Sequence, residues 1–155
     1  MPDKKTIIIG LGNPILGDDS LGWRVAESLR QSAAALGAEV ETLAVGGLAL
    51  MERMVGYQRA IVVDAICLGD APTGTVRVIA LDDLPNPFAG HLGSAHETNL
   101  QTALQIGREL GAELPAEVTV VAIESPYVYD FSEELSPAAA AAVPLAAKKV
   151  LDLLK

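Results

Sequence analysis

The segment from residue 7 to residue 22 constrains the fold of this chain more than any other part of the sequence. It begins as a run of isoleucines, is interrupted by Gly10 and Gly12, and carries Asp18 and Asp19 just before an amphipathic helical pattern. In an α/β protein the loop that leaves the first strand lies at the carboxyl edge of the sheet, where ligands bind. A glycine turn at that edge is typical of a phosphate site, but two carboxylates would repel phosphate and attract a cation. The segment therefore predicts a strand-to-helix unit with an acidic edge.

Strand and helix patterns alternate along the rest of the chain. Apolar and β-branched runs predict strands over residues 6–9, 39–43, 60–64, 75–81 and 117–123, the fourth of them at a sheet edge. Helical spacing predicts helices over residues 20–35, 48–55 and 100–110, and Ser136-Pro137 begins a final one. This alternation predicts an α/β fold: a single-domain three-layer sandwich over residues 1–155, with a mostly parallel twisted sheet and helices on both faces.

Composition excludes several classes of protein. The net charge of −9 argues against nucleic acid or an anionic membrane as a partner. Cys67 is the only cysteine, so no internal disulfide forms and a reducing compartment is expected. We expect no signal peptide and no transmembrane segment, because no apolar run approaches the roughly 20 residues that span a bilayer. The sequence predicts a cytoplasmic protein.

The glycine pair at the start of the chain has two interpretations. Gly10 and Gly12 fit the beginning of a dinucleotide-binding fingerprint, but Ile15 occupies the position where that fingerprint requires a third glycine. The other interpretation is a tight strand-to-helix turn that needs small residues. No Gly-x-Ser-x-Gly, P-loop or His-Glu-x-x-His sequence is present, which removes three common hydrolase classes.

The aspartates also have a structural and a functional interpretation. Asp18 and Asp19 suit the start of a helix, where a carboxylate caps backbone amides and is favoured by the helix dipole. One residue is enough for that structural role, and we expect Asp18 to fill it. The carboxylate of Asp19 is then available for a functional role. Asp64 ends a hydrophobic central strand, a position suited to ligand binding, although an aspartate bonded to its own turn fits as well.

The two histidines lie in an irregular stretch between residues 84 and 96. His96 comes where a helix begins, whereas His91 lies among glycines, so we favour His96 as a functional group. An imidazole combined with Asp19 and Asp64 forms a mixed nitrogen and oxygen set that suits a borderline divalent metal such as zinc or nickel. Cys67 has no basic neighbour that would activate its thiol, so we interpret it as a buried residue that packs in the core without a chemical role.

Three motifs occur in a characteristic order. Residues 10–22 read Gly-Leu-Gly-Asn-Pro-Ile-Leu-Gly-Asp-Asp-Ser-Leu-Gly, and they are followed by Val63-Asp64-Ala65 and later by Ser94-Ala95-His96. In this order they resemble the hydrogenase maturation proteases. Those endopeptidases remove a C-terminal extension from the large subunit of nickel–iron hydrogenases. The resemblance covers nearly the whole chain.

The resemblance implies a specific site and partner. The family's triad of two acidic residues and a histidine falls on Asp19, Asp64 and His96, as metal contacts and catalytic groups together. The family's small-residue segment falls on Gly46 and Gly47, an expected substrate contact, although Val45 and Leu48 replace polar neighbours there. The implied partner is a hydrogenase large-subunit precursor that presents nickel, and no tightly bound resident metal is expected.

Two other functions fit the same residues. One is a metal-assisted hydrolase acting on a small molecule, with the triad as a resident catalytic site. The other is a nickel-site assembly chaperone that inspects the precursor without cutting it. A tightly bound metal in an enclosed pocket would favour the first, and a precursor that is bound but not cut would favour the second.

Overall fold

The computed structural model describes residues 5–84, 99–127 and 131–155 of the chain. The strands are β1 (Thr6–Leu11), β2 (Ala38–Leu43), β3 (Arg59–Ile66), β4 (Val76–Ala80) and β5 (Glu117–Glu124). The α-helices are α1 (Leu21–Ala35), α2 (Gly47–Arg53), α3 (Leu100–Glu109) and α4 (Pro137–Leu154). Short 3-10 turns cover Gly17–Ser20 and Leu81–Asp83. No helix in these ranges is long and apolar enough to cross a membrane.

The strands form one five-stranded sheet in the order β2-β1-β3-β5-β4. All neighbouring strands are parallel except β4, which runs antiparallel to β5 at one edge. The apolar run of β1 and that of β3 are buried along their lengths because these strands lie in the middle of the sheet. The half-exposed β4 lies at the predicted edge.

Helices cover both faces of the sheet. Ile7, Ile9, Val62 and Ile66 pack in one core cluster with residues of α2 and α3, such as Leu100. The alternate strand residues pack in a second cluster with α1 and α4. This arrangement follows from the two-residue period of a strand, which sends successive side chains to opposite faces. The predicted three-layer α/β fold is confirmed.

Several predicted boundaries differ from the structure, and one difference concerns the site. The sequence predicts that β3 ends at Asp64, whereas the strand continues to Ile66. Ala65 and Ile66 remain paired with Ile123 and Glu124 of β5, so the hydrogen-bond ladder holds the strand beyond the carboxylate. Asp64 therefore lies inside a strand rather than in a turn.

Glycines allow α1 to lie in backbone contact with the sheet. A Cβ atom on Gly22 would lie 2.2 Å from the Leu11 carbonyl oxygen and 2.3 Å from that of Val63. A Cβ atom on Gly10 would lie 2.2 Å from the Gly22 carbonyl oxygen. These separations are far below van der Waals contact, so no side chain fits at either position. The glycines serve a tight strand-to-helix packing, as the second interpretation of the motif proposes.

Substituting Gly22 should therefore unfold or strongly destabilise the protein. We expect Gly22→Ala to lower the free energy of unfolding by more than about 3 kcal/mol, because the new methyl group meets backbone that cannot rotate away. Gly37→Ala, just beyond the other end of α1, is the matched control. Its Cβ atom would meet nothing within 4 Å and the strain comes only from its φ of +82°, a cost of about 1–2 kcal/mol. Urea unfolding measures both, and equal losses would contradict this account.

Candidate functional site

The loop that follows β1 folds back on itself at the carboxyl edge of the sheet. The Asn13 amide donates to the Asp19 carbonyl oxygen and to Asp19 Oδ2, both at 3.2 Å. A Cβ atom on Gly12 would lie 2.0 Å from the Asp19 carbonyl oxygen, so only glycine allows this approach. The Gly12 amide also donates to the carbonyl oxygen of Leu43, at the end of β2. Asp19 is thus held at the edge with 5% of its surface exposed.

Asp18 is buried and joins three parts of the chain. Its Oδ1 accepts from the Ser136 amide at 2.7 Å, and its Oδ2 accepts from the hydroxyls of Ser125 and Ser136 at 2.6 and 2.7 Å. Ser136 is the N-cap residue of α4, and its hydroxyl accepts from the Ala139 amide. Asp18 therefore anchors the start of the last helix to the end of β5. The expected interaction with a backbone amide is found, but the amide belongs to Ser136, the N-cap residue of α4, and not to the helix that follows Asp18.

Asp64 is fully buried and lies on the α2–α3 face of the sheet. It pairs with Ala122 in the register of β3 and β5, and strand alternation places it on the same face as Val62 and Ile66. The Gly22 backbone contacts the carbonyl of Val63, directly before Asp64. Because Asp19 lies three residues before Gly22, this contact brings both aspartates to the same edge of the sheet.

His96 and His91 lie outside the described residues, so the convergence of the triad stays a prediction. The described chain resumes at Asn99, the N-cap residue of α3, whose side chain accepts from the Thr102 amide. The next residue, Leu100, is buried in the core cluster of the face that carries Asp64. The ranges that the structure describes contain no group of three or more His, Cys, Asp or Glu residues able to hold a metal.

Gly46 and Gly47 form the connection between β2 and α2. Gly46 is the extended N-cap residue, and Gly47 opens the helix with a φ of +54°, in the left-handed region that favours glycine. The connection follows the carboxyl end of β2, beside the loop after β1. Val45 and Leu48 flank it with 39% and 45% of their surfaces exposed. A substrate contact at the two glycines stays a prediction.

One residue near the site differs from the expectation of the sequence, and a second has contacts that the sequence does not predict. Cys67 is exposed rather than buried, because β3 ends at Ile66 and Cys67 begins the turn that follows. Glu124 is buried with 3% of its surface exposed and accepts hydrogen bonds from the amides of Leu68 and Gly69. The sequence carries a signal for Glu124, since it ends an apolar strand run as Asp64 does, but the sequence interpretation gives it no role.

A cavity opens beside Asp18, on the α4 side of the same edge. Its volume is about 650 Å³, within the range of small-ligand pockets. Its polar lining includes Asp18, Ser136, Tyr127 and Glu134. Phe131 comes directly before the lining residue Ser132 in the sequence, and 84% of its surface is exposed. The edge of the sheet thus combines carboxylates, a cavity and an exposed aromatic side chain.

A mostly parallel sheet between two helical layers, with buried carboxylates at its carboxyl edge, defines a class of α/β proteins that bind at their strand ends. Comparison with known families identifies the group within this class. The family model HycI, described as hydrogenase maturation protease, matches residues 23–153. The chain belongs to the hydrogenase maturation protease family.

Individual relatives agree with this assignment. A hydrogenase expression/formation protein HupD of Rhizobium leguminosarum bv. viciae is 32% identical over 105 residues, which are 66% of this chain and 51% of HupD. The chain thus spans about half the length of that relative. HoxM of Cupriavidus necator, also named a hydrogenase expression/formation protein, is 28% identical over 96% of this chain and 73% of its own.

A solved structure supports the fold. The hydrogenase maturating endopeptidase HybD from Escherichia coli superposes with a TM-score of 0.77 at 24% identity. The match covers 97% of this chain and 91% of HybD. At that level of identity the likeness shows a shared fold.

Removing the charge of Asp18 should weaken the fold. We expect Asp18→Asn to lower the free energy of unfolding by about 1–3 kcal/mol, because an amide replaces one of two buried acceptor oxygens that face Ser125 and Ser136. Asp82→Asn is the control, because Asp82 is exposed and its change should stay within about 0.5 kcal/mol. Thermal and urea unfolding measure the difference, and an Asp18→Asn protein as stable as the wild type would contradict this role.

Proposed function

We propose that this protein is an endopeptidase that removes the C-terminal extension from the nickel-loaded large-subunit precursor of a nickel–iron hydrogenase. Membership in the hydrogenase maturation protease family supports the reaction class. The observation that carries the proposal is the pair of buried carboxylates, Asp19 and Asp64, at one edge of the sheet. Two carboxylates at one strand edge attract a cation.

In this proposal nickel belongs to the substrate. Asp19, Asp64 and His96 offer two carboxylates and one imidazole to a nickel ion that the precursor already holds. Metal–ligand distances of about 2.0–2.2 Å demand tightly positioned ligands, which agrees with the rigid backbone packing around Asp19. Three such ligands leave coordination positions open, so they bind weakly until the precursor supplies the rest. The same three residues then act as metal contacts and as the catalytic groups beside the scissile bond.

Other parts of the edge have supporting roles in the proposal. Gly46 and Gly47 leave space for the precursor chain beside the loop after β1. The net charge of −9 disfavours nucleic acid and anionic membranes and suits a partner with basic segments. Residues 1–155 act as one domain in the cytoplasm, where nickel insertion and cleavage follow one another.

The direct test is cleavage of a cognate precursor with and without inserted nickel. We expect the purified protein to release a C-terminal peptide, detected by mass spectrometry, only from the nickel-loaded form. The physical reason is that the nickel-loaded precursor supplies the remaining ligands of the ion, and the shared ion docks the scissile bond at the triad. Efficient cutting of nickel-free precursor would contradict the proposed dependence on nickel.

The remaining outcomes separate the alternative functions. A precursor that is bound but not cut in either form would favour the assembly chaperone. Metal that copurifies stoichiometrically with the free protein, together with hydrolysis of small esters or amides, would favour the small-molecule hydrolase. Binding is measured by calorimetry and metal content by mass spectrometry.

Paired substitutions test the assignment of the triad. Asp19→Asn and His96→Ala should reduce cleavage of nickel-loaded precursor by about 100-fold or more, the scale for losing a preorganised electrostatic group. Their neighbours provide the controls, because Asp18→Asn and His91→Ala change similar chemistry without removing a proposed ligand. We expect both controls to keep more activity than their partners. A cadmium titration of the two histidine variants checks the choice, and weaker binding after His91→Ala would reverse it.

A further inference from the structure

Glu124 lies beside Asp64 and is equally sheltered from solvent. In the parallel register of β3 and β5, Asp64 pairs with Ala122 and Ile66 pairs with Glu124. Strand alternation therefore places Asp64 and Glu124 on the same face, diagonally adjacent across two strands. Only 3% of the surface of Glu124 is exposed.

The Glu124 carboxylate holds the turn that follows β3. The Leu68 amide donates to its Oε2 at 3.0 Å and to its Oε1 at 3.2 Å, and the Gly69 amide donates to Oε2 at 3.3 Å. Backbone bonds continue this contact, since the Ser125 amide donates to the Ile66 carbonyl oxygen at 2.9 Å. The turn is thus attached to the end of β5 through both backbone and side chain.

Arg77 completes the arrangement from β4. Its Nη1 lies 3.6 Å from Glu124 Oε1, and its Nη2 donates to the carboxylate of Asp70 at the far end of the turn. We call Glu124 and residues 67–70 together the β3 latch. The Arg77 guanidinium joins Glu124 at one end of the latch to Asp70 at the other. Hydrogen bonds to an ionised carboxylate are stronger than neutral ones, and the buried charge would be unfavourable without them.

We propose that Glu124 is a positioning residue for cleavage, which acts through the β3 latch by fixing the turn that begins three residues after Asp64. The inference rests on the proposed function, because it assigns Asp64 to the reacting site. A catalytic carboxylate needs a position fixed to about half an ångström. The ladder of β3 ends two residues after Asp64, and the latch extends the restraint past that end into the turn that follows.

Cys67 provides a native probe of the latch. It is the only cysteine, it is exposed, and it lies in the turn, so a nitroxide label can be attached without engineering. We expect the label to give an immobilised spectrum in the wild type and an added mobile component in Glu124→Gln and Arg77→Met. Glu117→Gln is the matched control, because Glu117 begins the same strand and pairs with Arg59 at the opposite edge. Circular dichroism establishes that each variant is folded.

Kinetics on unlabelled protein test the effect on cleavage. We expect Glu124→Gln to lower kcat for nickel-loaded precursor about tenfold while KM stays within about threefold, since a misplaced group slows the reaction more than it weakens docking. Glu124→Asp keeps the charge and should restore part of the loss. Glu117→Gln should retain the wild-type kcat.

The outcomes distinguish this inference from the proposed function. An unchanged spectrum in both latch variants would overturn the latch, and a mobile turn with unchanged kcat would overturn its role in cleavage. A wild-type protein that cleaves no precursor would count against the proposed function, and the spin-label comparison would then support or overturn the latch by itself.

Discussion

The backbone contact between α1 and the sheet is the constraint on which the rest of this structure depends. Gly22 lies against the carbonyls of Leu11 and Val63, and Gly10 lies against Gly22. Such contact requires that no side chain lies between α1 and the strands β1 and β3 at this point. It fixes where the loop between β1 and α1 can lie. The backbone that carries Asp19 is therefore packed against the backbone next to Asp64.

Adjacent carboxylates have different environments in this loop. Asp18 faces Ser125 and the N-cap of α4, and it accepts hydrogen bonds on both oxygens. Asp19 is held by the Asn13 amide at the carboxyl edge. A buried charge needs several donors, and Asp18 obtains them from the end of β5 and the start of the last helix. It thereby joins both segments to the loop that carries Asp19.

The sequence predicts the fold well because the order of strands and helices rests on local patterns. Alternating apolar runs indicate the strands, and a carboxylate after an apolar run marks Asp64. The partners of Asp18 are not predictable in this way, since Ser136 lies 118 residues further along the chain and no local pattern records that separation. The prediction for Cys67 is wrong because its burial depends on where the β3–β5 ladder ends. Glu124 carries the same signal as Asp64, but the signal alone does not separate a group that binds a ligand from one that holds a turn.

Under the proposed function, the side chains at the edge also limit what the protein can do to a nickel ion. Thiolates are the soft ligands that hold nickel firmly, and the chain has a single cysteine, placed in the turn after β3. Carboxylates with an imidazole bind the same ion less firmly. Under the proposed function, such a set contacts a nickel ion that the precursor already holds without competing for it. Weak ligands are therefore an advantage in this proposal. A protease that extracted the nickel would destroy the filled metal site of the precursor, which is the feature that it recognises.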